Sequence, residues 1–341
     1  METLTAEQVR IERGPRSGQL IMIGIDSARL GPALGGCRIK PYDRWQDGLD
    51  DVLRLSAAMT RKAALAGLDH GGGKTVVALD GSAFDRDDLL ADIAGLIEDL
   101  DGRYITGPDI GTGPADMGVL HRHTPHVLCR PEEEGGSGDS SGPTALGVRS
   151  SIEAVCEHLW PGRDLADLRF TLIGLGHVGA RIGHWLAGRG ARLTVTDLDP
   201  GRKTLARQWN ATWTTPERAL SAEADVLVPC ATGGLLTAAT TSSVAAGAVV
   251  GAANNQLDHD DTAQLLHARG VLWAPDTVVS GGGIIASVAR ELRGASAPEA
   301  EREVLGIGPR LATILDDARA RGITPLRASQ GLVDLRLRTG R

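Results

Sequence analysis

A two-domain α/β fold, its second domain of Rossmann type, is the architecture this sequence predicts, and three observations predict it. Strand-like apolar runs at 169–173, 192–196, 225–229, 247–251 and 271–274 alternate with helix-like stretches, the pattern of a parallel sheet wound with helices. The first of these runs leads directly into Gly174-Leu175-Gly176-His177-Val178-Gly179, a G-x-G-x-x-G loop opening a predicted helix over 180–188. Ahead of this regime, residues 132–144 are polar and rich in glycine and serine, a composition that marks a linker or hinge.

The N-terminal half carries its own α/β pattern. Residues 20–25 and 75–79 read as strands, 47–66 as a helix with apolar spacing, and 84–100 as a charged amphipathic helix; the tail from about 301 reads as helical and charged. At 341 residues the chain is long enough for two domains of ordinary size. Its 42% hydrophobic and 23% charged residues are those of a globular protein, and with aromatics at 3% the core must be mostly aliphatic. A net charge of −7 gives no electrostatic footprint for nucleic acid or an anionic membrane. No apolar run is long enough to span a bilayer, and the N-terminus lacks a basic region followed by an apolar stretch, so a cytoplasmic location is expected. Cys37, Cys129, Cys156 and Cys230 are far apart and form no C-x-x-C pair, which indicates neither a disulfide framework nor a zinc site. His121, His123 and His126 lack zinc spacing as well, so no metal is expected.

Chemistry concentrates in the segment from Met59 to Thr75, where Lys62 and Lys74 flank the run Gly71-Gly72-Gly73. A lysine held near a second lysine, among small residues and little water, loses proton affinity, because desolvation and like charge both penalise the ammonium. A neutral amine acts as a general base, and a charged one clamps a carboxylate. The competing reading is a glycine-rich turn that ends in a surface lysine.

The glycine loop is read through its mechanism. Gly174 permits the tight turn, Gly176 lets the backbone approach a pyrophosphate, and Gly179 allows close helix–strand packing, with the helix N-terminus facing the phosphates. Asp197 ends the following strand, 23 positions beyond Gly174, where a carboxylate meets the adenosine ribose hydroxyls. An acid there disfavours a 2′-phosphate, so NAD is expected over NADP; Arg202 nearby is the one feature that speaks for the latter.

Further blocks are Leu30-Gly-Pro-Ala-Leu-Gly-Gly36-Cys-Arg38, Tyr104-Ile-Thr-Gly-Pro-Asp109, Thr144-Ala-Leu-Gly-Val148, Pro229-Cys-Ala-Thr-Gly-Gly234, Gly251-Ala-Ala-Asn254-Asn255-Gln256 and Ala274-Pro-Asp276. With Gly-Gly-Gly-Lys, a second lysine twelve positions upstream and an aspartate 35 positions downstream, the chain resembles, nearly end to end, the amino acid dehydrogenases of the leucine, phenylalanine and valine type, relatives of glutamate dehydrogenase. The resemblance implies reversible oxidative deamination of an L-2-amino acid by NAD to a 2-oxo acid and ammonia, in a homo-oligomer. It implies a substrate-binding and oligomerisation domain over 1–130, joined by a C-terminal helix 304–341, and an NAD-binding domain over 140–303, with a cleft between them. Lys74 would be the catalytic lysine and Asp109 its acid/base partner. Lys62 would bind the substrate carboxylate beside the Gly35 and Gly36 backbone. Leu34, Met59, Gly107, Pro108, Ile284 and Ser287 would line the side-chain pocket. The cofactor would be held by Gly174, Gly176, His177, Val178, Gly179 and Asp197, with Thr144, Ala231, Thr232, Asn254 and Asn255. In this chemistry water attacks an imine, so a base must take its proton. Lys74, with its pKa lowered by Lys62 and by burial, suits that task, while Asp109 relays protons to the departing amine.

Some positions depart from the family. Ser280-Gly281-Gly282-Gly283 stands where Asn-Ala-Gly-Gly is usual, so the asparagine is absent. Gly107 replaces a bulkier residue, which would enlarge the pocket toward substrates larger than valine, and Ser287 stands at a usually aliphatic place. Arg38 is expected in an ion pair and not on substrate. Taken without the resemblance, Asp109 reads as a turn-forming residue before Gly111. The rival functions are an NAD-dependent 2-hydroxy acid oxidoreductase, for which no histidine–carboxylate–arginine trio is in place, and a catalytically impaired NAD-binding homologue.

Overall fold

A computed structural model of the protein describes residues 6–231 and 233–340. Thr232, expected at the cofactor site, lies outside the described residues. The chain divides into two compact units, one of Met1–Ser140, Ile284–Ala300 and Val333–Arg341, the other of Ser141–Gly283 and Glu301–Leu332.

The first unit opens with β1 (Gln8–Arg13), β2 (Leu20–Ser27), β3 (Ala33–Pro41), α1 (Trp45–Ala66), β4 (Gly71–Leu79), α2 (Arg86–Glu98), β5 (Tyr104–Pro108) and α3 (Pro114–His121). Its five strands lie in the order β1-β2-β4-β3-β5, with β4 antiparallel to β2 and parallel to β3, and β3 parallel to β5. Strand alternation sends residues to two different layers. Met22, Val76 and Ala78 pack with Val52 of α1 on one face. Ile21, Ile23, Ile25 and Val77 pack with Leu89, Ile93 and Ile97 of α2 and Met117 and Leu120 of α3 on the other. Helix α1 ends at Gly67, whose φ of 76° supplies the left-handed cap. Helix α2 starts where Asp85 accepts from the amides of Asp87 and Asp88.

The glycine run does not form the turn that its composition suggests. Strand β4 begins at Gly71 and is buried along nearly its whole length. The reason is close approach: a Cβ on Gly72 would lie 2.0 Å from the Thr60 nitrogen, so α1 can lie flat on β4 only over glycine. Glycine's weak strand preference hid three residues of a central strand.

The second unit contains α4 (Ser141–Leu159), β6 (Arg169–Ile173), α5 (His177–Gly188), β7 (Arg192–Thr196), α6 (Lys203–Gln208), β8 (Thr212–Trp213), α7 (Pro216–Ala219), β9 (Ala224–Pro229), β10 (Ala246–Val249), α8 (Asp261–Ala268), β11 (Leu272–Trp273) and α9 (Asp276–Val279). Beyond these come α10 (Gly282–Ser287), α11 (Ala297–Leu305), α12 (Ile307–Arg321) and α13 (Pro325–Thr339), along which the chain passes between units. The sheet is parallel in the order β11-β10-β9-β6-β7-β8, the doubly wound arrangement that the alternating pattern predicts. All five predicted strand runs of this unit correspond to strands, while β8, an edge strand of two residues, is not predicted. Helix α5 starts at His177, three residues ahead of the expected 180, and the last four residues of the predicted linker form the first turn of α4.

The division differs from the expected one on the C-terminal side. Residues 301–332 belong with the second unit, because α12 packs on α4: Ser150 Oγ donates to the Leu305 carbonyl at 2.8 Å and accepts from the Gly308 amide at 3.1 Å. Residues 333–341 belong with the first unit, where Arg336 donates to the Ala64 carbonyl at 2.8 Å and pairs with Asp69 at 2.9 Å. Residues 284–300 are also part of the first unit; Glu291 accepts from the amides of Cys129 and Ser137. Among the described residues no helix is long and apolar enough to cross a membrane.

Candidate active site

In the first unit, alternation along β4 puts Lys74 on the same face as Gly72 and Val76, the face covered by α1. The side chain is only 7% exposed, and its Nζ lies 2.5 Å from Asp109 Oδ2. Asp109 follows β5 and does two jobs. Its backbone forms the expected turn, accepting from the Thr112 amide while its own amide donates to Thr112 Oγ1, and its carboxylate faces Lys74. The same Oδ2 accepts from Arg38 Nε at 2.9 Å, and Arg38 reaches on to Asp51 of α1 at 2.8 Å. Arg38 is thus in the expected ion pair, and the sequence left its partners open.

The electrostatics follow from this geometry. Burial penalises the Asp109 carboxylate, but Lys74 and Arg38 together outweigh that penalty and bring its pKa down to about 2. Lys74 is pushed below the usual lysine range, first by burial and then by Arg38, with Asp109 opposing. The like charge named beside Lys74 is therefore Arg38, where Lys62 was expected; Arg38 shares a carboxylate oxygen with the lysine, and Lys62 sits on the helix above. Cys37, also adjoining, is pushed up to about 12 by burial and stays a thiol.

Glycines make room for the pair. A Cβ on Gly36 would lie 2.8 Å from Asp109 Cβ and 3.1 Å from Lys74 Nζ, and one on Gly35 would lie 1.8 Å from the Gly73 carbonyl. Beneath them Tyr104, fully buried, takes a hydrogen bond from Thr75 and donates to the Gly35 carbonyl. The sequence gives no sign of this brace beyond an aromatic residue at the start of β5. Met59 and Lys62, three positions apart on one side of α1, are both half-buried. Leu34 is buried within the sheet, Gly107 and Pro108 end β5 half-buried, Ile284 is half-buried and Ser287 is buried. Ser287 Oγ donates to the Ile284 carbonyl at 3.3 Å, so its hydroxyl serves its own helix.

The second unit holds the glycine loop. Gly174 has φ 94°, and a Cβ there would meet the Ala231 nitrogen at 2.8 Å. A Cβ on Gly179 would lie 2.0 Å from the Gly174 carbonyl, whereas one on Gly176 meets nothing within 4 Å. The loop thus joins β6 to α5 beside the end of β9, at the switch point where the strand order reverses. His177 and Ala231 are exposed and Val178 is half-buried. Asp197 Oδ2 accepts from the Leu175 amide at 2.6 Å and Oδ1 from the Asp199 amide at 2.8 Å, which holds the carboxylate against the loop. Open space at Gly176, a helix N-terminus and this carboxylate fit a dinucleotide. Thr144 is half-buried in α4, with its Cα 3.1 Å from where a Gly282 Cβ would lie. Asn254 and Asn255 occupy a tight loop with Asn255 at φ 52°, pinned by buried Gln256, whose side chain donates to the Gly251 and Ala253 carbonyls. Ser280 Oγ donates to the Asp276 carbonyl at 2.6 Å and approaches Asn254 Oδ1 at 3.2 Å. Sequence reading missed Gln256 and Asp276 as supports, because the contact that joins them, the Gln256 amide donating to the Asp276 carboxylate at 3.0 Å, spans twenty positions.

A buried lysine hydrogen-bonded to a carboxylate is acid–base equipment, and a glycine loop at a switch point is nucleotide-binding equipment; a chain with both falls in the class of pyridine-nucleotide dehydrogenases. Comparison narrows this. Residues 22–126 match the Glu/Leu/Phe/Val dehydrogenase dimerisation domain, and residues 194–298 match the Glutamate/Leucine/Phenylalanine/Valine dehydrogenase family. A phenylalanine dehydrogenase of Caldalkalibacillus thermarum is 37% identical over 97% of this chain and 91% of its own length. A valine dehydrogenase of Streptomyces virginiae is 37% identical over 98% and 94%. The crystal structure of L-tryptophan dehydrogenase from Nostoc punctiforme superposes with a TM-score of 0.84 at 33% identity, covering 99% of this chain and 97% of that one. The chain belongs to the Glu/Leu/Phe/Val dehydrogenase family, a family of amino acid dehydrogenases.

Proposed function

We propose that this protein catalyses the NAD-dependent oxidative deamination of an L-2-amino acid with a side chain larger than valine, and the reverse reductive amination. The observation that carries the reading is the buried Lys74 held 2.5 Å from Asp109. Lys62 grips the substrate carboxylate with the Gly35 and Gly36 backbone beside it. When bound, NAD supplies the hydride acceptor. Gly174, Gly176, His177, Val178 and Gly179 would hold its pyrophosphate and Asp197 its adenosine ribose, and Thr144, Ala231, Asn254 and Asn255 would complete the cofactor site. Arg202 pairs with Asp199 at 3.6 Å, which supports NAD over NADP by engaging a cation that a 2′-phosphate would otherwise recruit.

Lys74 performs the proton chemistry. Burial weakens its hold on the proton, so it takes one from attacking water and returns it as ammonium, stabilising oxygen charge in between. Asp109 stays ionised through the neutral range and steers that proton, accepting it only in passing toward the leaving amine. Within the second unit, Ser280 stands in place of the usual asparagine and contacts Asn254 through its hydroxyl.

The relatives are named for phenylalanine, valine and tryptophan at 37%, 37% and 35% identity, so overall similarity does not choose the side chain. Gly107 supports a large one, because a Cβ there meets nothing within 4 Å. Gly107→Leu is accordingly expected to fold normally and to shift kcat/KM toward small branched 2-oxo acids by about ten-fold or more; an unchanged ranking across a panel of 2-oxo acids removes Gly107 from the pocket.

The experiment that tests the function is NADH loss across 2-oxo acids with and without ammonium. Ammonium-dependent turnover is expected, best with bulky side chains. Turnover without ammonium favours a hydroxy acid oxidoreductase, and preference for the smallest branched acids overturns the size assignment. A homo-oligomer is part of the same reading, supported by the match to a dimerisation domain over 22–126 and by exposed Ile11 on edge strand β1. Light scattering that gives the 35.7 kDa mass of one chain would refute it.

A further inference from the structure

The second unit carries a basic groove that the proposed reaction does not use. On α4, Gly142, Leu146 and Arg149 recur at helical spacing; on α5 and its C-cap, Arg181, Trp185 and Arg189 do the same. These two stripes line one cavity of about 490 Å³. The Arg149 guanidinium lies 5.0 Å from the Trp185 ring centre and that of Arg189 5.9 Å, so the indole orders both cations. Arg189 has a carboxylate, Glu153, at 3.7 Å, whereas among the described residues neither Arg149 nor Arg181 has one in salt-bridge range. Three permanent positive charges thus converge on a chain whose net charge is −7, with one acid to offset them.

Two donors sharpen the case. Arg149 Nε and Trp185 Nε1 are buried and have no acceptor among the described residues. A buried N–H without an acceptor is costly, and native interiors leave few of them. Arginine forks match tetrahedral oxyanions, and a phosphoryl group supplies both the charge and the acceptors. The cavity is larger than a bare phosphate needs, and Leu146 and Trp185 give it an apolar wall. We propose that this groove between α4 and α5 binds the phosphoryl group of a small phosphorylated metabolite, at a site separate from the glycine loop.

The test is isothermal titration calorimetry of the intact protein with ribose 5-phosphate and, separately, inorganic phosphate. Saturable binding of one ribose 5-phosphate per chain is expected, with Arg149→Gln and Arg181→Gln each weakening it about ten-fold. Tighter binding of ribose 5-phosphate than of inorganic phosphate assigns an organic phosphate as the source; equal binding keeps the phosphoryl site and assigns free phosphate. Arg181 is exposed, so its variant folds whatever becomes of the Arg149 variant. Binding that survives both substitutions unchanged belongs to another site, such as the glycine loop, and overturns the assignment. So does the absence of saturable binding by either probe.

Discussion

Lys74→Ala is expected to lower kcat by at least about 10³-fold while NADH affinity stays within about two-fold of the parent, because one residue supplies both proton transfer and charge stabilisation. The substitution leaves the fold in place. Asp109 loses one cation but keeps Arg38 at 2.9 Å, so no buried carboxylate is stranded. The glycine loop lies in the other unit and is untouched. Lys74→Arg should fail equally. Arginine keeps its proton at any working pH, and its planar head does not fit a space where Gly36 is already excluded from carrying a Cβ. Steady-state kinetics together with a fluorescence titration of NADH separates the outcomes. A kcat within ten-fold of the parent would take Lys74 out of the chemistry and, with it, most of the case for deamination.

The sequence revealed this lysine more readily than its surroundings. Gly-Gly-Gly-Lys is local and visible, and so is the alternation that builds the parallel sheet. What was hidden was long-range. The glycine run reads as a turn because local preference knows nothing of α1 pressing on β4; only the Thr60 backbone beside Gly72 explains a strand of glycines. The like charge next to Lys74 was sought in Lys62, its partner across the glycine run, and found in Arg38, two positions past Gly36 on the neighbouring strand. Asp51, which anchors Arg38 from α1, has no sequence signature at all. Domain boundaries failed for a similar reason. A charged helical tail gives no hint that residues 301–332 lie on α4 while the last few return to α1, since Ser150 and Arg336 mark those contacts with single side chains.

Asp109→Asn carries the second large effect, and its signature is in pH as much as in rate. The carboxylate, ordinarily near 3.8, is held at about 2 by Lys74 and Arg38. A carboxylate with a depressed folded pKa adds stability that is fully present above 3.8 and is lost as pH falls through about 2. Its contribution is of the order of 2 kcal/mol. The amide cannot titrate, so the variant should be less stable at neutral pH and lack that part of the acid-dependent loss, as urea unfolding between pH 2 and 7 would reveal. Lys74 responds in the opposite sense to a simple loss of charge. Asp109 is the main group that raises its pKa, against burial and Arg38, so removing that carboxylate lowers the lysine further. The lysine is then neutral over more of the working range, and the acid limb of kcat/KM moves to lower pH. The rate itself should fall by about 10²-fold or more, because a lysine with a lower pKa is a weaker base toward water and no carboxylate steers the proton to the amine. An acid limb that stays in place, or moves upward, would mean that Lys74 does not titrate in the productive range and that the two residues form a structural ion pair.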